Sequence, residues 1–345
     1  MSKRYLLVGA RINSNPKSFG GTTVLMEQLI DYFKLRGKEF IVIETNRYSD
    51  RFSSIKNGLY LLLNLVKNIN KIDIIFINAS KNGTFILAPL LFLLAKLFKK
   101  RFIFRKFGGG FIELYSSSSP LNRLIVKNTI FKSDIIFVET KEILNFVREF
   151  NKNTYHFPNS RKLTKLSSQR GFKKRFVFIS AIKESKGINE ILEASKGLDN
   201  SYRVDIYGPI VDKKYLNMKL SNSIVSYKGV IEPKRVLEVL VNYDVLLLPT
   251  YHKGEGYPGI IIEAFSLKIP VIATNWQAIS EIVIDGKNGI LIPPKSSKAL
   301  LEAIKTIDDN NYKELSKGAL DSFREFEFEN VHSKVFKIIE ELESE

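Results

Sequence analysis

Two carboxylates stand eight positions apart in Glu255-Gly256-Tyr257-Pro258-Gly259-Ile260-Ile261-Ile262-Glu263-Ala264. The first lies in a Gly/Pro loop, the second inside an apolar helical start that has no need of a charge there. Two hydroxyl-rich groups on one small molecule, a sugar and a ribose, account for both, because an ionised carboxylate accepts several hydroxyl protons at once. Glutamates fall at this spacing by chance, so the flanks matter more than the interval. An apolar run ending in Pro249-Thr250 precedes the block. Lys268-Ile269-Pro270-Val271-Ile272-Ala273-Thr274 follows it, a turn and then a buried strand.

Three other segments carry groups suited to a phosphate-bearing ligand. Ser18-Phe19-Gly20-Gly21-Thr22-Thr23 follows an apolar run and opens a helix. Glycines let a ligand approach the backbone, and a helix start offers free N–H groups; a plain turn is the competing reading. It is neither a GxGxxG nor a Walker loop, which excludes the usual dehydrogenase and NTPase signatures. Arg105-Lys106-Phe107-Gly108-Gly109-Gly110-Phe111 also follows a strand. Three glycines in a row mark a mobile loop or a close approach. Arg105 and Lys106 would either meet an anionic acceptor or form a solvated basic strand end. In Ser180-Ala181-Ile182-Lys183-Glu184-Ser185-Lys186-Gly187-Ile188, Lys183 and Lys186 are candidate phosphate cations, with a surface lysine near a helix start as the alternative for Lys186.

The glutamate pair, its short helix and the strand opened by Pro270-Val271 together resemble the donor-binding segment of family 4 retaining glycosyltransferases, which have the GT-B fold. Tyr207-Gly208-Pro209, Lys228-Gly229, Tyr243-Asp244-Val245 and Asp285-Gly286-Lys287-Asn288-Gly289 extend the resemblance through the second half. In the first half it rests on Gly20-Gly21 and Pro158-Asn159. The resemblance implies a donor site of Gly20, Gly21, Lys183, Lys186, Glu255, Gly256, Tyr257, Pro258, Gly259, Ile260 and Glu263. Within it Glu255 would hold hydroxyls of the transferred sugar and Glu263 the ribose, while Lys186 neutralises the departing diphosphate. Glu255 and Lys186 are the catalytic candidates. Arg105, Lys106, Gly108, Gly109 and Gly110 are the acceptor-side candidates. The chain departs from the family in two places. Near the sugar, where many relatives have a histidine, it has none, and Ala181 fills the arginine position five residues before Lys186.

Short β-branched runs alternate with helical patterns throughout the chain. Strands are expected at 5–9, 40–44, 74–78, 102–106 and 135–139, then at 176–181, 203–207, 225–227, 245–248, 271–273 and 290–292. Helices are expected at 23–35, 59–66 and 331–342, among others. Continuous apolar strands interleaved with helices mark parallel sheets covered on both faces. The expected fold class is α/β: GT-B, two doubly wound Rossmann-like domains facing a central cleft. Residues 1–165 would form the acceptor-side domain, 166–325 the nucleotide-sugar domain, and 326–345 a helix crossing back to the first.

At 345 residues there is length for two such cores. No cysteine is present, so disulfides and thiolate chemistry are excluded. Neither histidine spacing nor an Asp-x-Asp motif marks a metal, so no cofactor or metal is expected beyond the nucleoside diphosphate sugar as co-substrate. The net charge of +17 is uneven: residues 1–160 carry +14 and residues 161–345 carry +3. A basic surface points to an anionic partner, with solubility as the plainer explanation. No nucleic-acid motif is present. Phe85–Ala95 followed by Lys96-Leu97-Phe98-Lys99-Lys100-Arg101 reads either as a helix lying on a membrane or as a core helix with a solvated basic end. It is too short to cross a membrane. The expected partners are a nucleoside diphosphate sugar, a lipid-linked or saccharide acceptor and an anionic membrane surface. The expected location is cytoplasmic, peripheral on the inner face of the plasma membrane. The expected reaction is metal-independent, retaining hexosyl transfer in bacterial surface polysaccharide or lipopolysaccharide biosynthesis. The alternatives are a nucleotide-sugar epimerase on the same fold and a non-catalytic sugar-nucleotide-binding protein.

Overall fold

The structure, a computed structural model, describes residues 3–13, 20–50, 52–79, 81–166, 171–216 and 220–344. They form two compact units, Met1–Asn159 with Val331–Glu345, and Ser160–Asn330.

The first unit runs β1 (Arg4–Gly9), α1 (Gly21–Leu35), β2 (Glu39–Glu44), α2 (Ser53–Asn68), β3 (Ile74–Ala79), α3 (Lys81–Phe85), α4 (Leu87–Leu97), β4 (Arg101–Lys106), α5 (Phe111–Ser116), α6 (Pro120–Asn128), β5 (Ile135–Val138), α7 (Lys141–Arg148) and β6 (Thr154–His156). Its strands pair in parallel in the order β2-β1-β3-β4-β5-β6. The chain leaves β1 in one direction to reach β2 and in the other from β3 onward. Right-handed crossovers therefore put α1 on one face and α2, α4, α6 and α7 side by side on the other. Leu6, Val8, Ile75, Phe102 and Ile136 meet Leu61, Leu91, Val126 and Ile143 on that second face. On the α1 face Phe33 stacks edge-on against Tyr5, Phe76 and Phe336.

The second unit runs β7 (Arg175–Ile179), α8 (Ile188–Ser195), β8 (Arg203–Tyr207), β9 (Val225–Tyr227), α9 (Val236–Leu240), β10 (Val245–Leu248), α10 (Gly259–Ser266), β11 (Val271–Thr274), β12 (Gly289–Ile292), α11 (Ser297–Thr306) and α12 (Asp309–Phe323), before α13 (Phe328–Ser344). The strands are again parallel, in the order β12-β11-β10-β7-β8-β9. Both faces are filled, one by Phe176, Val204 and Leu247 against α8 and α11, the other by Val177, Leu246 and Ala273 against α10 and α12. Burial on both faces is what the continuous apolar runs demand.

Every expected strand is present. The additional strand is β6, a three-residue edge strand, Thr-Tyr-His, whose composition gives no apolar run to read. Helix α4 is a core helix with an exposed outer face. Its inner face, with Ala88, Leu91, Phe92 and Ala95, packs in the core, while Ile86, Leu90, Leu93 and Leu97 form an exposed stripe along its outer face and just before it. Among the described residues no helix is long and apolar enough to cross a membrane.

Candidate active site

In an open doubly wound sheet the ligand crevice opens beyond the carboxyl ends of the strands, where the strand order reverses. In the second unit that point lies between β7 and β10, so the loops after these two strands face each other. They carry Lys186 and Glu255. Lys186 Nζ donates to Glu255 Oε2 at 2.5 Å, and both side chains are largely shielded. Two residues 69 positions apart, expected to act on the same sugar nucleotide, are thus in direct contact.

Local chemistry explains how the loops come so close. Gly187 closes the turn after Lys186 with φ +83, a left-handed conformation, and a Cβ there would lie 2.3 Å from the Pro249 carbonyl oxygen. Only glycine allows both. Tyr251 N–H donates to Ser185 O at 2.8 Å, and the Thr250 hydroxyl lies 3.2 Å from both Ser185 O and Glu255 Oε2. His252 sits behind the pair, with Nδ1 3.2 Å from the Ser185 hydroxyl. Burial, then repulsion from Lys186 and Lys183, pushes its imidazole pKa down. Lys183 is extended and half-buried in the same loop. Ala181 brings no charge to it.

The remainder of the Glu255 loop is anchored from behind. Tyr257 is 2% exposed, its ring against Phe326 and its hydroxyl donating to Glu281 Oε2 at 2.5 Å. Pro258 caps α10 in an extended conformation, Gly259 is its first residue, and Ile260 packs partly on the core. Glu263 is half-buried one turn on and accepts from Arg161 Nε at 2.6 Å. Arg161, like His252, carried no sequence signal: it lies in a polar, aperiodic stretch 102 positions before its partner.

The first-unit candidates are placed as follows. Gly20 caps α1, where the Thr23 hydroxyl lies 3.0 Å from Gly20 N and 2.9 Å from Gly20 O. A Cβ at Gly20 or Gly21 would meet nothing within 4 Å, so no steric contact requires glycine there. Ser18 and Phe19 lie outside the described residues. The loop follows β1, and the strand order reverses between β1 and β3.

The solvated basic strand end is corrected. Arg105 is 1% and Lys106 5% exposed. The Arg105 guanidinium lies 3.3 Å from the Phe157 ring centre, and none of its nitrogens has a hydrogen-bond partner among the described residues. Lys106 Nζ donates to Phe107 O at 2.7 Å. Burial pushes Arg105 down to about 9 and Lys106 down to about 8, against the pull of Glu139. Glu139 also accepts from Gly108 N at 2.7 Å and so ties down the start of the loop through Gly109 and Gly110.

A loop at a switch point, a helix amino end, a cation and two carboxylates can hold a phosphorylated polyol and stabilise charge on its phosphate. Residues 173–310 match the family described as glycosyl transferases group 1. An uncharacterized glycosyltransferase of Methanocaldococcus jannaschii is 25% identical over 276 residues, covering 72% of this chain and 70% of that protein. A putative teichuronic acid biosynthesis glycosyltransferase, TuaC, of Bacillus subtilis is 36% identical over 129 residues, 37% of this chain and 31% of that protein. The structure of Anabaena Alr3699/HepE in complex with UDP superposes with a TM-score of 0.76 at 12% identity, over 98% of this chain and 100% of that one. The second unit thus carries a glycosyl transferases group 1 match, and the chain as a whole has the GT-B fold of solved glycosyltransferases.

Proposed function

We propose that the chain transfers a hexose-type sugar, with retention and without a metal, from a nucleoside diphosphate sugar to a hydroxyl of a lipid-linked or saccharide acceptor in bacterial surface polysaccharide or lipopolysaccharide biosynthesis. The observation that carries this reading is the Lys186–Glu255 pair at the switch point of the second sheet. Each group screens the other. A donor would separate their tasks: Glu255 accepts from sugar hydroxyls, and the ammonium turns to the diphosphate. The bond broken joins the anomeric carbon to a phosphate oxygen. Negative charge grows on the leaving diphosphate, and positive charge on the sugar ring. Lys186 and the amides at the start of α10 stabilise the first, and this is the largest catalytic contribution. Glu255 orients the second. No side chain at the site stands out as a nucleophile, so attack on the same face as the departing phosphate fits the reading. Solved GT-B structures that hold UDP make a uridine donor the first to try.

The acceptor side of the proposal rests on the surface of the first unit. Helix α2 repeats the pattern of α4, with Ile55, Leu59, Leu63 and Val66 exposed along one stripe. The two helices are neighbours on the same face of the sheet. Residues 51–112 hold eleven Lys and Arg against a single acid, Asp73. Among the described residues Lys67, Lys71, Lys99 and Lys100 form no ion pair. Apolar stripes edged by unpaired cations match an anionic leaflet, and a lipid-linked acceptor would lie in that leaflet.

The test is a panel of nucleoside diphosphate sugars, read first as a rise in melting temperature and then as sugar transfer with chelator present. The stabilising donor should be turned over, with the anomeric configuration kept. Isomerisation of donor alone would establish the epimerase reading instead. Release of no nucleotide in the presence of a membrane extract as acceptor source would favour a binding protein.

A further inference from the structure

The arginine position five residues before Lys186 is filled by Ala181, which leaves the donor site one cation short of the pattern it resembles. We propose that Arg161 supplies that cation and binds the donor diphosphate. The inference rests on the donor reading above and assigns a residue to the same site.

Arg161 is held from both sides of its backbone. Its N–H donates to Phe326 O at 2.9 Å, and its carbonyl accepts from Phe328 N at 2.8 Å. The side chain, 16% exposed, runs across the first turn of α10. A Cβ added to Gly259 would lie 1.7 Å from Arg161 Nη2, so the absence of a side chain at Gly259 is what admits the guanidinium. Nε donates to Glu263 and Nη1 to Ser160 O at 2.8 Å.

A cation is misplaced at that end of a helix. The amino end carries partial positive charge and unpaired N–H groups, which favour an anion. Glu263 balances the guanidinium. Once ribose hydroxyls engage Glu263, Arg161 loses part of its counter-charge beside a helix end of its own sign. A diphosphate on the first turn of α10 answers both needs, because the planar guanidinium fork matches two phosphate oxygens. The donor therefore works as an exchange of partners: Glu263 passes from guanidinium to ribose as Arg161 passes from carboxylate to phosphate. A nucleoside without phosphates breaks the ion pair and offers nothing in return.

The experiment is calorimetric titration of wild type, Arg161→Gln, Arg161→Lys and the double variant Arg161→Gln/Ala181→Arg. The probes are UDP with uridine, GDP with guanosine and ADP with adenosine. For the pair that wild type binds, Arg161→Gln should weaken the diphosphate by about 10- to 100-fold, the range of a charge-assisted contact. The nucleoside should bind as well as before or better. Arg161→Lys should fall between, and Ala181→Arg should restore diphosphate affinity to the Gln variant. Equal weakening of diphosphate and nucleoside would mean that Arg161 only props up Glu263, and the proposal would fall. Unchanged diphosphate affinity would also overturn it while leaving the donor site intact. If wild type binds none of the diphosphates, the donor reading fails and takes this assignment with it.

Discussion

Lys106 occupies the last position of β4, where a cation would ordinarily reach water, yet it is enclosed and its pKa is driven from its ordinary 10.5 to about 8. Below about 8 the ammonium is protonated in folded and unfolded chains alike, and the fold carries its desolvation cost. Between about 8 and 10.5 the unfolded chain binds a proton that the fold has released, so stability should rise with pH through this window. In thermal melts, Lys106→Met should be more stable than wild type near neutral pH and should flatten that rise. An unchanged slope in the Met variant would show that Lys106 is solvated. Glu255 answers to a different measurement. Its replacement by Ala should lower turnover by about 10² to 10³-fold, in the range for loss of one preorganised polar contact. The fold should persist with a lowered melting temperature, because the largely shielded Lys186 loses its counter-charge. Turnover equal to wild type would remove Glu255 from the mechanism. Both Glu255 and Lys186 were legible in the sequence because each stands in a loop directly after an apolar strand. Arg161 was not, because its meaning depends on Glu263, and nothing local to the 161 segment reports that neighbour.

At the scale of elements, the site depends on two loops that touch. Gly187 permits this contact by its left-handed backbone and its lack of a Cβ against Pro249 O. Gly187→Ala should cost about 1–3 kcal/mol in backbone strain and more from the clash, and it should part Lys186 from Glu255. Denaturant melts and donor affinity should therefore fall together. A variant with wild-type stability would mean that the β7 loop has another conformation open to it. The strands themselves were read from continuous apolar runs, which parallel sheets buried on both faces require. Short β6 escaped because its side chains alternate in polarity over too few residues. Helix α2 was legible only over 59–66, since Ser53, Ser54, Asn57 and Gly58 weaken the helical pattern before it. Its structure begins six residues earlier, and the exposed stripe begins with it.

For the whole molecule the uneven charge was visible from composition, but its pairing with two apolar stripes required the sheet topology that sets α2 beside α4. Vesicles with anionic lipid should bind the protein, and binding should weaken as salt rises. Leu63→Gln with Leu93→Gln, both at exposed positions, should reduce that binding by about tenfold or more without altering donor affinity. Equal affinity for neutral vesicles would remove the role of charge. A dimer lost on the same substitutions, with no vesicle binding, would show that a second copy covers the stripes.

The first unit also has an unusual order of assembly. Its core is closed by residues from both ends of the chain: Phe336 packs on Tyr32 and Phe33, and Tyr5 and Lys38 both engage Glu343. During synthesis Phe33 and Tyr32 emerge about three hundred residues before their cover. The aromatic wall of α1 must therefore wait, exposed, while the entire second unit is translated and folds. A truncation before Phe336 would leave the second unit intact and the first one open on one side.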